Sequence, residues 1–317
     1  MNRIVRIATT SLATLEDTSP PFNLRHPDPA DTQDLGLSLL EAAGESGSDL
    51  AVLPEAFTAA GLPAEHIPTV AEPLDGPSVT SVADCARRHS MYIVAGFYVA
   101  EGTGVSNSAV LFDRTGQIVG SYSKQHPTEG EVTNSVLPGE RTAVFETDFG
   151  RLGLAVCFDL NWQSVWADLK THGAELVCWI SAYEGGLPLQ AFAWIYQYPI
   201  VTSVWPYHAR IIERSGRIVA ETSRWSRLVL YDLNLDKRLF HTNGHEHQLL
   251  KLQTHYGRRI RIESFTDEHV FTLESNDPDL PIDEIIRNFG LVEYRAFIDR
   301  CTDVQVAART RVFASVK

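Results

Sequence analysis

Three side chains stand where short apolar runs stop. Glu55 follows Leu50-Ala51-Val52-Leu53, Lys124 follows Ile118-Val119-Gly120-Ser121-Tyr122, and Cys157 follows Leu154-Ala155-Val156. A buried strand that ends at a turn holds its last side chain rigidly at the rim of a sheet, which suits a reacting group. Together the three types can perform nucleophilic chemistry at an electrophilic carbon. A free thiol titrates near about 8.5 and is mostly protonated at neutral pH. A carboxylate within hydrogen-bond reach can take its proton as the sulfur attacks. A lysine ammonium can stabilise the charge that develops on the substrate's oxygen or nitrogen, and the N–H of Phe158 is placed to help. No histidine lies in the Cys157 stretch, so no Cys-His pairing is invoked.

Each residue also has a plainer reading. Free cysteine is among the most buried residue types and often serves as core filler. Glu55 read alone is a solvated strand-end carboxylate. The stretch Ser123-Lys124-Gln125-His126-Pro127-Thr128-Glu129-Gly130-Glu131, broken by proline and glycine, reads alone as a polar surface loop.

The elements that must position these residues follow from periodicity. Strands are expected at Arg3–Thr10, Leu50–Leu53, Tyr92–Tyr98, Asn107–Phe112, Ile118–Tyr122, Glu175–Ile180, Ile200–Val204, Ala209–Ile212, Arg217–Ala220 and Arg227–Leu233. Helices are expected from a cap at Asp31 to Gly47, over Ser78–His89, Ser164–His172 and Leu189–Tyr196. Ser19 to Pro29 reads as a loop, Asp113-Arg114-Thr115-Gly116 and Ser215-Gly216 as hairpin turns. Beyond about residue 255 a hairpin (Arg258–Glu263 with His269–Glu274) and one amphipathic helix from Pro281 to about Arg300 are expected. Strands alternating with helices indicate α/β or layered α+β architecture, and the hairpins call for mixed sheets.

Composition narrows the function classes. The chain has 317 residues, enough for a sizeable core. A formal net charge of −13 argues against nucleic acid as the main partner, because phosphate binding needs a basic surface. There is no run of about 18 apolar residues, so no membrane span is expected. The opening Met1-Asn2-Arg3-Ile4-Val5-Arg6-Ile7-Ala8 is too short and too interrupted for a signal peptide. Cys85, Cys157, Cys178 and Cys301 lack metal-like spacing, which fits a reduced, cytoplasmic protein.

Leu53-Pro54-Glu55, Lys124 with Pro127-Thr128 and Glu131, and Gly153-Leu154-Ala155-Val156-Cys157-Phe158-Asp159 resemble, in order and separation, the three motifs of the nitrilase (carbon–nitrogen hydrolase) superfamily. The resemblance covers roughly residues 3–235. It implies an α+β fold, a four-layer α-β-β-α sandwich with two mixed β-sheets. It implies Glu55 as general base, Cys157 as nucleophile and Lys124 as the cation that stabilises intermediates. Glu131 corresponds to the family's second glutamate; Glu129 competes, but the seven-residue step from Lys124 matches Lys-x-x-Pro-Thr-x-x-Glu. The implied chemistry runs through a thioester (amides) or thioimidate (nitriles), then hydrolysis, with no metal and no organic cofactor. Residues 1–255 would form the hydrolase domain, and 256–317 an extension able to wrap a neighbouring subunit in a homodimer or larger homo-oligomer.

Cys157-Phe158-Asp159 resembles amidase-type members more than true nitrilases. Asn161-Trp162-Gln163 and Trp194-Ile195-Tyr196-Gln197-Tyr198-Pro199 depart from the continuations usual among amidase-like members. The arginine missing there would have paired a substrate carboxylate, a role open to Arg210 or Arg224. A small-molecule amide is the leading substrate class. A nitrile or N-carbamoyl compound is the runner-up, and a non-catalytic binding or assembly protein the alternative outside enzymes. Phe158, Trp179, Tyr183 and Trp205 are candidates to line a substrate pocket. His241-Thr242-Asn243-Gly244-His245-Glu246-His247 invites a metal reading by its imidazole spacing, although the implied chemistry needs none.

Overall fold

Apolar runs dominate the strands because both faces of each central strand are covered. The computed structural model describes residues 3–13, 18–19, 23–24, 29–102 and 104–315, which divide into two compact units. The larger unit spans Val5–Leu233. In chain order, β1 (Ile4–Thr10) precedes a pairing of β2 (Thr18–Ser19) with β3 (Asn23–Leu24), then α1 (Pro29–Glu45) and β4 (Leu50–Val52). There follow α2 (Ile67–Val70), α3 (Pro77–His89), β5 (Tyr92–Glu101), β6 (Gly104–Phe112) and β7 (Ile118–Ser123). Next come α4 (Glu129–Thr133), β8 (Ala143–Thr147), β9 (Gly150–Val156), α5 (Gln163–Thr171), β10 (Leu176–Ser181) and α6 (Leu187–Tyr196). The unit finishes with β11 (Ile200–Val204), β12 (Arg210–Ile212), β13 (Ile218–Glu221) and β14 (Leu228–Asn234).

Two six-stranded sheets result, ordered β14-β1-β4-β5-β6-β7 and β13-β12-β11-β10-β9-β8. In each, three neighbouring strands run parallel and the hairpin strands add antiparallel: β1, β4 and β5 in the first, β9, β10 and β11 in the second. Both sheets are therefore mixed. Leu40, Ala43, Val82 and Cys85 of α1 and α3 pack on Ile93, Ala95 and Phe97 of β5. On the other sheet, Val165, Trp166 and Leu169 of α5 and Leu189 of α6 pack on Val177 and Ile200. The sheets meet through polar contacts as well as apolar ones, Ser203 Oγ donating to the Thr10 carbonyl at 2.8 Å. This is the expected four-layer α-β-β-α sandwich.

Several boundaries differ from the sequence reading. Asp31 lies inside the first turn of α1, which begins at Pro29. Part of the loop expected from Ser19 to Pro29 pairs as β2 and β3, while 20–22 and 25–28 lie outside the described residues, as do Met1 and Asn2. The Lys124 stretch is not a surface loop: Lys124 is buried, and the Thr128 side chain and Glu131 form a reciprocal capping box that starts α4.

The second unit contains Asn234–Lys317 with the N-terminal residues through Ile4. Its three-stranded sheet, β15 (Arg238–His241), β17 (Val270–Ser275) and β16 (Ile260–Phe265), includes the expected hairpin; β15 and α7 (Leu249–Tyr256) went unread in the sequence. The single helix expected from Pro281 is two, α8 (Ile282–Phe289) and α9 (Tyr294–Ser315). Gly290 separates them at φ 60°, a left-handed cap that glycine adopts without the Cβ clash. His245 is buried here, edge-on to Phe240 and Phe271, and its Nε2 accepts from the Val292 N–H at 3.1 Å. Among the described residues no helix is long and apolar enough to cross a membrane.

Candidate active site

Four segments converge at the ends of the central strands. Glu55 leaves β4 through Leu53-Pro54, and Ala56 beyond it adopts φ 40°. The turn lies hard against β5: a Cβ on Gly96 would sit 2.6 Å from the Glu55 Cα, so only glycine admits this approach. The Trp205 indole N–H donates to the Glu55 carbonyl at 2.6 Å and fixes the turn from the other sheet.

Lys124 follows β7, held by its own N–H on the Asn107 carbonyl and by the Gly139 N–H on its carbonyl, both 2.8 Å. Its ammonium lies 2.8 Å from Glu55 Oε1 and 2.8 and 3.0 Å from the two Glu131 oxygens. The Asn107 amide on β6 donates to the same two carboxylates, at 2.7 Å to Glu55 and 2.6 Å to Glu131. The remaining Glu55 oxygen accepts the Ala182 N–H at 2.8 Å, and Glu131 Oε2 accepts the Thr128 N–H at 2.7 Å. Glu55, Lys124 and Glu131 are 3%, 1% and 6% exposed, and charges so deep persist only when paired and hydrogen-bonded. Burial opposes the charge on Lys124, but the Glu55, Cys157 and Glu131 side chains outweigh it and raise its pKa. Burial likewise opposes ionisation of Glu131, yet Lys124 and the hydrogen bonds hold it below the ordinary carboxylate range. Glu129 is exposed and takes no part in this cluster.

Cys157 follows β9 at φ 46°, a left-handed conformation uncommon for a side chain with a Cβ. Strain of this kind persists only where the surroundings fix it, and here they do. Its carbonyl accepts the Trp179 indole N–H at 3.1 Å. Two residues on, the buried Asp159 carboxylate accepts from Tyr122 OH (2.8 Å), the His126 N–H (2.9 Å) and the Val156 N–H (3.1 Å), tying the turn to β7 and to the residues after Lys124. Burial first, and then the Glu55 charge, pushes the Cys157 thiol well above its ordinary range; Lys124, the Ser181 hydroxyl and the Ala182 N–H pull the other way. The same N–H thus serves the Glu55 carboxylate and the sulfur.

The four pocket candidates separate. Trp179 is wholly buried and braces the Cys157 backbone; Trp205 braces Glu55. Phe158 is 36% exposed and edge-on to Trp162, which stacks on His126 at 4.0 Å. Tyr183 lies beside Trp179, its hydroxyl pushed up to about 12 by burial and by the Cys157 and Glu55 side chains. Tyr98, opposite Asn107 across β5 and β6, is raised by burial, Glu55, Glu131 and Cys157, and so faces the cluster as well. Asn107, Tyr98 and Gly96 went unnoticed in the sequence. The available signals were an asparagine shortly before the apolar run Ala109–Phe112 and a glycine inside the apolar β5 run.

The arrangement joins a shielded thiol, a carboxylate and a fixed ammonium in an α-β-β-α sandwich, the architecture of the nitrilase superfamily. The sequence profile of the carbon-nitrogen hydrolase family matches residues 18–238, and the chain belongs to that family. Omega-amidase NIT2 of Homo sapiens is 27% identical over 161 residues, covering 48% of this chain and 56% of that protein. Beta-ureidopropionase of Arabidopsis thaliana is 28% identical over 200 residues, 58% of this chain and 47% of that protein. This chain thus spans about half the length of these two curated relatives. Among solved structures, a mutant of the amidase from Nesterenkonia sp. AN1 shows covalent addition of the acetamide moiety of fluoroacetamide at its active site cysteine. It superposes with a TM-score of 0.63 at 20% identity, over 80% of this chain and 96% of that one.

Proposed function

We propose that this protein hydrolyses a small amide through a thioester on Cys157. The observation that carries the reading is the buried cluster in which Lys124 joins Glu55 to Glu131 while Glu55 and Lys124 both act on the Cys157 thiol. Because burial keeps that thiol protonated, attack needs a base at the moment of reaction rather than a standing thiolate. Glu55 takes the Sγ proton as sulfur bonds to the substrate carbon. The Lys124 ammonium and the Phe158 N–H receive the negative charge on the substrate oxygen. Glu55 then returns the proton to the departing nitrogen, and ammonia or an amine leaves. Water, deprotonated by the same carboxylate, attacks the thioester, and the acid departs as the thiol recovers its proton. Glu131 and Asn107 hold Lys124 and Glu55 in register, which is positioning rather than bond-making.

The covalent adduct on the cysteine of the Nesterenkonia amidase supports the role given to Cys157, and the omega-amidase relative supports amide before nitrile. The beta-ureidopropionase relative favours an N-carbamoyl substrate as the second reading. Phe158 and Tyr183, partly open beside the nucleophile, are the pocket residues in this scheme. Cytoplasmic placement rests on the free cysteines and is part of the proposal. So is a homo-oligomer built through residues 256–317. Along α9, positions 302–310 are exposed, Val304 and Val306 among them, and a helix exposed all round is poorly stable without a partner.

Intact-protein mass spectrometry after brief exposure to matched amides, nitriles and N-carbamoyl compounds tests the reading, with Cys157→Ala alongside and ammonia release in parallel. A transient acyl adduct from an amide, absent in the variant, is expected. Turnover confined to N-carbamoyl compounds or nitriles would move the chain to the second reading. No adduct and no product across the panel would favour the non-catalytic alternative.

A further inference from the structure

Away from this site, α1 and α3 bring together three side chains of the kinds that bind transition metals. Cys85 and His89 stand four residues apart on α3, hence on one face of that helix, and Glu41 faces them from α1. One ligating atom from each lies within 4.8 Å of the other two. His89 Nε2 is 2.6 Å from Glu41 Oε2, and the other carboxylate oxygen is held by Arg88. We propose that Cys85, His89 and Glu41 form a zinc-class divalent metal site that clamps α1 to α3.

The donor set fits that class. Thiolate, imidazole and carboxylate suit a borderline-soft ion such as Zn2+, and the hard-oxygen preference of Mg2+ or Ca2+ argues against those. Zinc bonds of about 2.0–2.3 Å set tetrahedral donors roughly 3.3–3.7 Å apart, so shifts on the order of 1 Å close the three around an ion. Arg88 on the second Glu41 oxygen orients the ligating carboxylate, as outer partners of metal ligands do. Helix α1 also makes room for the imidazole. A Cβ on Gly44 would sit 2.1 Å from the His89 ring, so the ring packs directly on the helix backbone. A glycine inside a helix costs about 1 kcal/mol relative to alanine, and this one secures the close approach of His89. The cluster opens to solvent on one side: Cys85 is fully buried, while the Glu41 and His89 side chains are 40% and 18% exposed. Binding releases to solvent the thiol proton and the proton held between Glu41 and His89, and a sulfur–metal bond and two further metal bonds take their place. A solvent water completes the tetrahedron. No step of the proposed hydrolysis depends on this ion.

Titrating untagged, chelator-treated full-length protein with Co2+ tests the assignment, because a thiolate–cobalt charge-transfer band marks sulfur ligation. One Co2+ per chain with that band, displaced by Zn2+, is expected. Cys85→Ser should abolish the band, Cys157→Ser should leave it, and Glu41→Gln and His89→Gln should each weaken binding about tenfold or more. Absence of the band in the wild type, its survival in Cys85→Ser, or its loss in Cys157→Ser would overturn the site. Should Cys85→Ser fail to fold, the partly exposed Glu41→Gln decides: unchanged affinity there overturns it too.

Discussion

The Cα of Gly96 on β5 faces the Cα of Glu55 so closely that a single added methyl carbon would lie 2.6 Å from it. The carboxylate is therefore positioned by the absence of a side chain on the neighbouring strand. Gly96→Ala must shift the Pro54-Glu55-Ala56 turn, and with it the Glu55 carboxylate relative to Lys124 and Cys157. A displacement near 1 Å at a reacting group costs about 100-fold in rate. We expect kcat to fall by about that factor with the chain still folded, read by steady-state kinetics beside circular dichroism. Unaltered kcat would show that the turn relaxes without moving the carboxylate.

Asn107 supplies one amide to two buried carboxylates. Hydrogen bonds to charged groups contribute about 1.5–3 kcal/mol each, and removing the donor leaves the Oε1 atoms of both carboxylates with Lys124 as their remaining partner. Asn107→Leu is expected to lower unfolding free energy by about 3 kcal/mol in denaturant titrations and to reduce kcat more than it raises KM. A variant as stable as the wild type would remove Asn107 from the positioning role.

Glu129 and Glu131 divide sharply. Glu131 is buried on Lys124, whereas Glu129 is exposed at the start of α4. Breaking a buried ion pair from one side costs about 3–5 kcal/mol, and exposed substitutions stay within about 0.5 kcal/mol. Glu131→Ala should therefore destabilise the protein severely and abolish turnover, while Glu129→Ala should do neither. The lowered Glu131 pKa also contributes stability above its unfolded value near about 4.3, lost as pH falls through the lower folded value. That acid-side loss should be absent in Glu131→Gln, as acid titration followed by fluorescence would report.

The Cys157 thiol titrates above its ordinary range because it is buried and faces Glu55. The folded protein then keeps this proton after the unfolded chain has lost it. Its contribution is fully present below about 8.5 and declines as pH rises past that value. A thiolate difference spectrum of wild type against Cys157→Ser should show no thiolate on Cys157 at neutral pH. A thiolate already formed there would replace base-assisted attack with an ion-pair mechanism.

Helix α9 exposes Val304 and Val306 at 65% and 52%. Changing both to glutamate should lower the particle mass found by light scattering if the helix lies in a subunit interface. An unchanged mass would sink the oligomer proposal for this segment.

The order of apolar runs, the residue closing each run and the turn signals between them are local properties, and the sequence determined those. Leu50–Val52, Ile118–Ser123 and Gly150–Val156 form strands where periodicity places them; their alternation with helices narrows the fold to α/β or layered α+β, and the family resemblance supplies the four layers. Even the choice of Glu131 over Glu129 has a local basis, since Thr128-x-x-Glu131 is a capping-box pattern. Tertiary structure decided what meets what. Asn107 reaches Glu55 across 52 positions and Ala182 reaches the same carboxylate across 127, separations that no periodicity encodes. Trp179 and Trp205 became backbone braces because their indole N–H groups, once buried, needed acceptors, and the carbonyls of Cys157 and Glu55 were within reach. The break at Gly290 was overlooked for a related reason. The amphipathic pattern continues through it, and only the packed chain reveals that the residue turns left-handed.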